Sequence, residues 1–516
     1  MYLRNDGRLE SRPHRQAGKP ALLGVALIWA LCSLTASAVT LPRIFGDNMV
    51  LQRERPLPLW GWAAPGEKVT VQFAGQEKSA TADSQGRWQV RLKASPASAV
   101  PADLTIIGAN RIVLTNILVG DVWFCSGQSN MEKPIGEQRG QKPTKNYQEE
   151  LASGDLYPNI RLFKVEKVLA PTPTNDVKGA WNVCSSNALE QTKFSAVAYF
   201  YGREIHKELN IPIGLVESSW GGTRIEPWTP PAGFQAVSKL ADFAKPATGT
   251  NKLVNTTPSA IYNGMVAPVV PFAIRGALWY QGESNCMDQH DAAIYTDKME
   301  ALIKGWRAVW NQGDFPFYYV QLAPFHYYYE IAKPRVLVPD ALPLIWEAQT
   351  DALRIHNTGM VVITDLVDNL KDIHPTQKVE VGRRLALVAL AKEYGRKSFV
   401  CSGPTFNKMK IRNGKAVLSF DNLGGGLAGK DGQPLTWFTI AGADSKFVSA
   451  DAAIEGNTVV VSSAAVPEPK AVRFAWHEAA QPNLFNRAGL PAVPFRTDKP
   501  RPAARQFATD NLASSK

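Results

Sequence analysis

Gly120-Asp121-Val122-Trp123-Phe124-Cys125-Ser126-Gly127-Gln128-Ser129-Asn130-Met131 is the stretch from which the rest of the chain can be ordered. The mostly apolar run from Ile117 to Cys125 predicts a buried strand, and it breaks off in small and polar residues. A serine on a tight turn just past a strand has an exposed hydroxyl and a free backbone N–H, as nucleophilic catalysis requires. The same composition also makes an ordinary Ser/Gly/Asn turn. Two further stretches bear on the choice. Trp279-Tyr280-Gln281-Gly282-Glu283-Ser284-Asn285 follows the apolar run from Ala273 to Leu278. Asp372-Ile373-His374-Pro375 follows the run from Met360 to Ile363 and a polar loop. A serine, an amide donor and an Asp/His pair, each beyond a predicted strand, are expected to meet at one edge of a sheet. Open α/β sheets bind ligands at the carboxyl ends of their strands.

With Trp220-Gly221-Gly222-Thr223, these stretches make four blocks: Gly127 to Met131, Trp220 to Thr223, Trp279 to Asn285 and Asp372 to Pro375. In composition and order they resemble the blocks of the sialate O-acetylesterase family, a branch of the SGNH hydrolases, over about half the chain. The flanks Leu41 to Leu51 and Ile440-Ala441-Gly442-Ala443-Asp444 resemble that family too. The resemblance implies an α/β fold: a flavodoxin-like parallel sheet flanked by helices, with accessory β-sandwich modules. It also implies a serine carbohydrate esterase without metal or organic cofactor.

At 516 residues the chain has room for two to four domains, with ordinary globular contents of 45% hydrophobic and 20% charged residues. Arg4, Arg8, Arg12, Arg15 and Lys19 precede an apolar stretch, Ala21 to Leu34, and then Ala36-Ser37-Ala38. That succession predicts a secretory signal peptide over residues 1–38. The stretch is short of the roughly 20 residues of a membrane span, so no stable membrane insertion is expected. Removing 1–38 takes away five basic and two acidic residues, and the net charge falls from +11 to +8. Without a basic cluster interleaved with aromatics, nucleic acid is not an expected partner; an acetylated carbohydrate is. Cys125, Cys184, Cys286 and Cys401 show no CxxC spacing. Cys125 and Cys286 flank two of the blocks and are read either as a pair or as buried thiols.

Residues 39–116 alternate as short strands do, suggesting a small N-terminal β-sandwich. Its Trp60 and Trp62 are read as core, with a sugar platform as the alternative. Residues 117–395 alternate strands and helices, as in the catalytic domain of a parallel sheet. Helices are expected at Ala196 to Leu209, Asp291 to Trp310, Leu344 to Ile355 and Val379 to Ala391. Strands are expected at Ile213 to Val216 and Phe317 to Leu322. Thr229 to Pro271 reads as a long irregular segment shaping a pocket, and Tyr327, Tyr328 and Tyr329 as lining a cleft. Residues 396–500 return to β, and 501–516 form a loose tail.

For ester hydrolysis, Ser129 is the expected nucleophile and His374 the general base. Asp372 is the expected orienting carboxylate, with Asp368 as fallback. The oxyanion hole is assigned to the N–H of Ser129, a backbone N–H from Gly221 or Gly222, and the side-chain amide of Gln281, with Asn285 as its alternative. Asn130, Glu283 and Asn285 are expected to touch substrate, although Glu283 is read first as a loop-holding residue. The competing readings are a retaining glycosidase using Glu283 with Asp372, and a non-catalytic glycan-binding protein. The substrate is expected to be an acetylated sialic acid or a plant cell-wall polysaccharide such as xyloglucan or xylan.

Overall fold

The computed structural model describes residues 38–245, 253–328 and 340–498. The expected leader up to residue 37, Tyr329, the tail from 499 and part of the irregular segment lie outside them.

The N-terminal region supplies β1 (Val50–Gln52), β2 (Leu57–Trp62), β3 (Lys68–Phe73), β4 (Gln76–Thr81), β5 (Arg87–Leu92) and β6 (Ser98–Ile107), then β7 (Arg111–Gly127). β7 is a 17-residue strand. Its first half pairs antiparallel with β6, and its second half lies between parallel neighbours. It therefore runs straight across the division expected at 116/117. β2 and β5 form a separate two-stranded ribbon, with Trp60 opposite Gln89 and Trp62 opposite Arg87. Trp60 packs edge-on against Phe45 at 4.6 Å, but both tryptophans stay half-buried on an open cleft. Trp60 packs against the core as read, whereas the reading is corrected for Trp62: the face the two share opens on the cleft instead of closing on a second sheet.

After β7 come α1 (Ser129–Glu132), β8 (Ile160–Lys164), β9 (Trp181–Val183), α2 (Ala196–Leu209) and β10 (Ile213–Ser219). These are followed by β11 (Gly276–Tyr280), α3 (Glu283–Cys286), α4 (Gln289–Trp310), β12 (Phe317–Val320), α5 (Ala341–Asp351), β13 (Thr358–Val361) and α6 (Lys378–Lys392). The central strands run β13-β12-β11-β7-β10-β8-β9, with every neighbouring pair parallel except β8 and β9. Chain order reverses at β7: later strands are laid down on both its sides. Its carboxyl end is thus the crevice where open α/β sheets take ligands.

Successive side chains of β7 point to opposite faces, and each face has its own helix layer. Trp123 meets Tyr201 of α2 at 5.1 Å and Tyr318 of β12 at 5.8 Å. Phe124, on the other face, meets Trp306 and Trp310 of α4 at 5.3 and 5.2 Å. All six rings are 2% exposed or less. Truncating one such ring typically costs about 3–5 kcal/mol. The irregular segment condenses into short helical turns, among them Pro231–Gln235 and Tyr262–Val266.

Beyond α6 the chain is β-rich. Thr405–Arg412 and Lys415–Asp421 form a hairpin around Asn413-Gly414 within a four-stranded antiparallel sheet. This region docks beside the loops at the carboxyl edge: the Phe325 N–H donates to Glu478 O at 3.0 Å, and Gln481 Nε2 to Val367 O at 2.9 Å. The four cysteines of the described residues are free thiols, so Cys125 and Cys286 are not paired. Among the described residues no helix is long and apolar enough to cross a membrane.

Candidate active site

Three neighbouring strands deliver the first three blocks. β7 ends at Gly127, β10 at Ser219 and β11 at Tyr280, and Ser219 and Tyr280 are both registered on Gly127. A Cβ on Gly127 would lie 2.1 Å from Tyr280 O, and its φ is +144°. Only glycine fits that approach, and it turns the chain so that Ser129 opens α1 at the sheet edge. Gly221 packs against it: a Cβ there would lie 3.2 Å from Ser129 Cβ. The fourth block arrives from the loop between β13 and α6. His374 Nε2 stands 2.9 Å from Ser129 Oγ.

Asp372 is the carboxylate that faces the imidazole. Its Oδ1 accepts the His374 backbone N–H at 2.9 Å and lies 3.8 Å from Nδ1. Asp368 instead accepts from Thr376 N and Oγ1. Burial pushes the His374 imidazole down to about 4. Nearby Lys378 and Lys133 push the same way, while Asp372 opposes them. The ring is therefore neutral at ordinary pH, with a nitrogen able to take a proton from Ser129.

The oxyanion donors differ from expectation. Among the described residues the Ser129 N–H meets no acceptor, and neither does the N–H of Gly222, which sits at φ +74°. The Gly221 N–H is taken: it donates to Glu132 Oε2 at 2.6 Å, and Glu132 is ion-paired with Lys167. Gln281 is corrected too. It is fully buried, and its Nε2 donates to Gln128 Oε1 (3.1 Å), Thr223 O (3.1 Å) and Asn285 Oδ1 (2.8 Å). Its Oε1 accepts from Tyr295 at 2.8 Å. An amide with both N–H groups committed inside the protein has none left for a developing oxyanion.

Asn285, the alternative donor, is likewise spent. It accepts from Ile225 N and Gln281 Nε2, and donates to Glu226 and Asp291. Asn130 and Glu283 do not reach a substrate either, being 1% and 2% exposed. Asn130 Nδ2 donates to Glu283 Oε1 (2.5 Å) and Ile373 O (3.0 Å), while its Oδ1 accepts from Lys378 Nζ at 2.6 Å. One amide thus ties the serine block, the third block, the histidine loop and α6 together. Burial raises the Glu283 carboxyl above its usual range against the pull of Asn130, as fits the loop-holding role. A retaining glycosidase would need this carboxylate at the substrate, and it is inside the protein.

Sequence reasoning overlooked Lys378, Lys133 and Glu132. Lys378 is fully buried and lies 5.1 Å from the Tyr280 ring centre. Burial lowers its ammonium to about 7 and that of Lys133 to about 8. Each lysine lies four residues after a catalytic candidate, Ser129 or His374; the spacing is visible in the sequence, the burial is not. Among the described residues no group of three His, Cys, Asp or Glu side chains is placed to hold a metal ion.

Comparison with known proteins fits this arrangement. Residues 119–391 match the family model described as carbohydrate esterase, sialic acid-specific acetylesterase. The human sialate O-acetylesterase is 32% identical over 410 residues, covering 72% of this chain and 74% of the human one. The rat sialate O-acetylesterase is 30% identical, covering 87% and 92%. Among solved structures, a carbohydrate acetylesterase from Xanthomonas citri superposes with a TM-score of 0.80 at 37% identity, covering 89% of this chain and 100% of that one.

Proposed function

The chain belongs to the sialic acid-specific acetylesterase family of carbohydrate esterases, and on that premise we propose that it is an exported serine O-acetylesterase working on sugars through an acetyl-enzyme. The observation that carries this reading is the 2.9 Å approach of His374 Nε2 to Ser129 Oγ at the carboxyl end of β7.

In the proposed cycle Ser129 Oγ attacks the acetyl carbonyl carbon while His374 Nε2 takes its proton. The carbonyl oxygen gathers negative charge opposite the N–H groups of Ser129 and Gly222, which are free to receive it. Each such donor is worth about 3–4 kcal/mol to the transition state. Collapse of the intermediate breaks the ester C–O bond, and His374 returns the proton to the departing sugar hydroxyl. Water, deprotonated by the same imidazole, then releases acetate and restores Ser129. Asp372 holds the His374 backbone and faces Nδ1, steadying the imidazolium that forms in each half-reaction.

The substrate proposed is an O-acetylated glycan: sialic acid, as the family description says, or a cell-wall polysaccharide such as xylan or xyloglucan. Export rests on the basic, apolar and small-residue succession ahead of Val39; mass spectrometry of the exported protein is expected to find a chain starting near that residue. Acetate release measured across those substrates tests the main reading. Ser129→Ala and His374→Ala are each expected to abolish it with unchanged circular dichroism. Release surviving either change at a tenth of the parent rate would overturn the assignment.

A further inference from the structure

The ribbon formed by β2 and β5 carries a surface that ester hydrolysis does not use. Trp60 and Trp62 are two residues apart on one strand, so they share a face, roughly 7 Å apart along the strand. The register puts Gln89 opposite Trp60 and Arg87 opposite Trp62, on the same face. These residues, with Asp83 and Asn175, line an open cleft of about 450 Å³ between the ribbon and the wall at Ala267, Pro268, Val270 and Pro271.

Three features single this face out. Both tryptophans are half-buried while Arg87, Gln89 and Asp83 are exposed, so flat apolar surface lies within a polar rim. Trp123, Trp181, Trp228, Trp306, Trp310 and Trp346 hand their indole N–H to a fixed acceptor. Trp60 and Trp62 hand theirs to none among the described residues. Trp88, Trp279 and Trp476 also lack an acceptor there, but their indole nitrogens are buried, whereas those of Trp60 and Trp62 are not and can meet an outside acceptor. Finally, Arg87 and Asp83 form an ion pair at 3.1 Å, which leaves the rim without net charge. A surface built to attract an anion would keep its arginine unneutralised.

We propose that this cleft is a non-catalytic binding site for a neutral β-linked glycan chain. Two pyranose rings lay their C–H faces on Trp60 and Trp62, and their hydroxyls meet the indole N–H groups, Gln89 and Arg87. Trp60 is braced from below by Phe45, which in turn contacts Phe272 at 5.6 Å, so the platform is preorganised. A chain held here raises the local concentration of acetylated units at the sheet edge without altering the chemistry there.

The test reads binding apart from turnover and so stands independently of the catalytic reading. Full-length protein carrying Ser129→Ala is run in native gels containing xyloglucan, hydroxyethylcellulose or the acidic polymer polygalacturonate. Retardation by a neutral polymer is expected, reduced tenfold or more by adding Trp62→Ala and about threefold by adding Arg87→Ala. With Ser129 intact, Trp62→Ala is expected to hydrolyse a small aryl acetate at the parent rate, which also reports folding. Should Trp62→Ala fail that control, Arg87→Ala on the exposed rim decides. The proposal is overturned by no retardation in either neutral polymer, by equal retardation of the cleft variants, or by stronger retardation in polygalacturonate.

Discussion

The two ends of the parallel-paired segment of β7, Asp121 to Gly127, carry buried polar groups of opposite character. At the sheet's amino edge Asp121 is fully buried and completely met. It accepts from Gln52 (2.8 Å) and Tyr394 (2.9 Å), and it pairs with Arg53 (3.0 Å) and Arg275 (2.8 Å). Burial alone would raise this carboxyl; the Arg53 hydrogen bond and the Arg275 charge outweigh it, and the net shift is downward. At the carboxyl edge the accounts stay open. The Ser129 N–H has no acceptor among the described residues, and burial depresses both the His374 imidazole and the Lys378 amine. Closed networks fix a fold; unfinished ones leave donors and proton acceptors for a ligand. One strand does both because its carboxyl end alone lies at the point where strand order reverses.

The largest effect should fall on the open end. Ser129→Ala removes the proposed nucleophile from a site whose packing it barely supports. We expect kcat for acetate release to fall about 10⁴-fold or more, with the melting temperature unchanged. A drop in both would mean that Ser129 belongs to the closed kind of network. The mirror experiment is at the other end. Asp121→Ala takes from Arg53 and Arg275 their fully buried partner, leaving them only the more exposed Glu54 and Glu393, and should cost about 3 kcal/mol of stability in chemical denaturation. Turnover per folded molecule should persist. Loss of turnover in well-folded Asp121→Ala would break the division between the ends.

Much of this architecture was legible in the sequence. The expectation of a helix from Ala196 to Leu209 matches the structure to the residue, because its apolar stripe and the following Pro212 mark both limits. The meeting of Ser129 and His374 was legible because each sits in a block beyond an apolar run, the second after a polar loop. The roles of Gln281, Asn285 and Asn130 were not. A polar residue beside a nucleophile in sequence reads as a substrate contact, yet all three turn inward to hold the four blocks together. Burial depends on which blocks become neighbours in space, and β10 and β11 both flank β7 despite more than fifty residues between them. Trp62 failed the other way: strand alternation gives the face it shares with Trp60 but not what that face meets.

Gln281 sharpens the comparison by asking whether a residue at the open edge can still belong to a closed network. Its amide bridges the serine block, the Thr223 turn and Asn285. Gln281→Ala leaves Thr223 O without its donor, while Gln128 Oε1 keeps the Gly282 and Ser284 N–H groups and Asn285 Oδ1 keeps that of Ile225; the stranded carbonyl should cost about 1–3 kcal/mol. We expect a lower melting temperature with nearly normal kcat and KM for the folded enzyme. A kcat lowered about 10²-fold with KM unchanged would return Gln281 to the oxyanion role.

The smallest effect tests whether the open end is tuned by charge. The proposed cycle needs the neutral His374 imidazole, so kcat/KM should hold as pH falls below the ordinary histidine value of 6.5 and fail only near the lowered value of about 4. The unfolded chain takes up a proton near 6.5 that the folded one refuses until about 4, so stability falls with pH across that window. Lys378, lowered by burial to about 7, is cationic throughout it and repels the imidazolium. Lys378→Met removes that charge and should move the acid limb of kcat/KM up by about one pH unit, equivalent to about 1.4 kcal/mol. Lys133→Met should move it the same way by less, because its charge ranks below that of Lys378 among the influences on His374. If Lys378 served only to hold Asn130, its loss would lower kcat/KM equally at every pH and leave the limb in place, and the unfinished pairing at this end would then be a matter of packing alone.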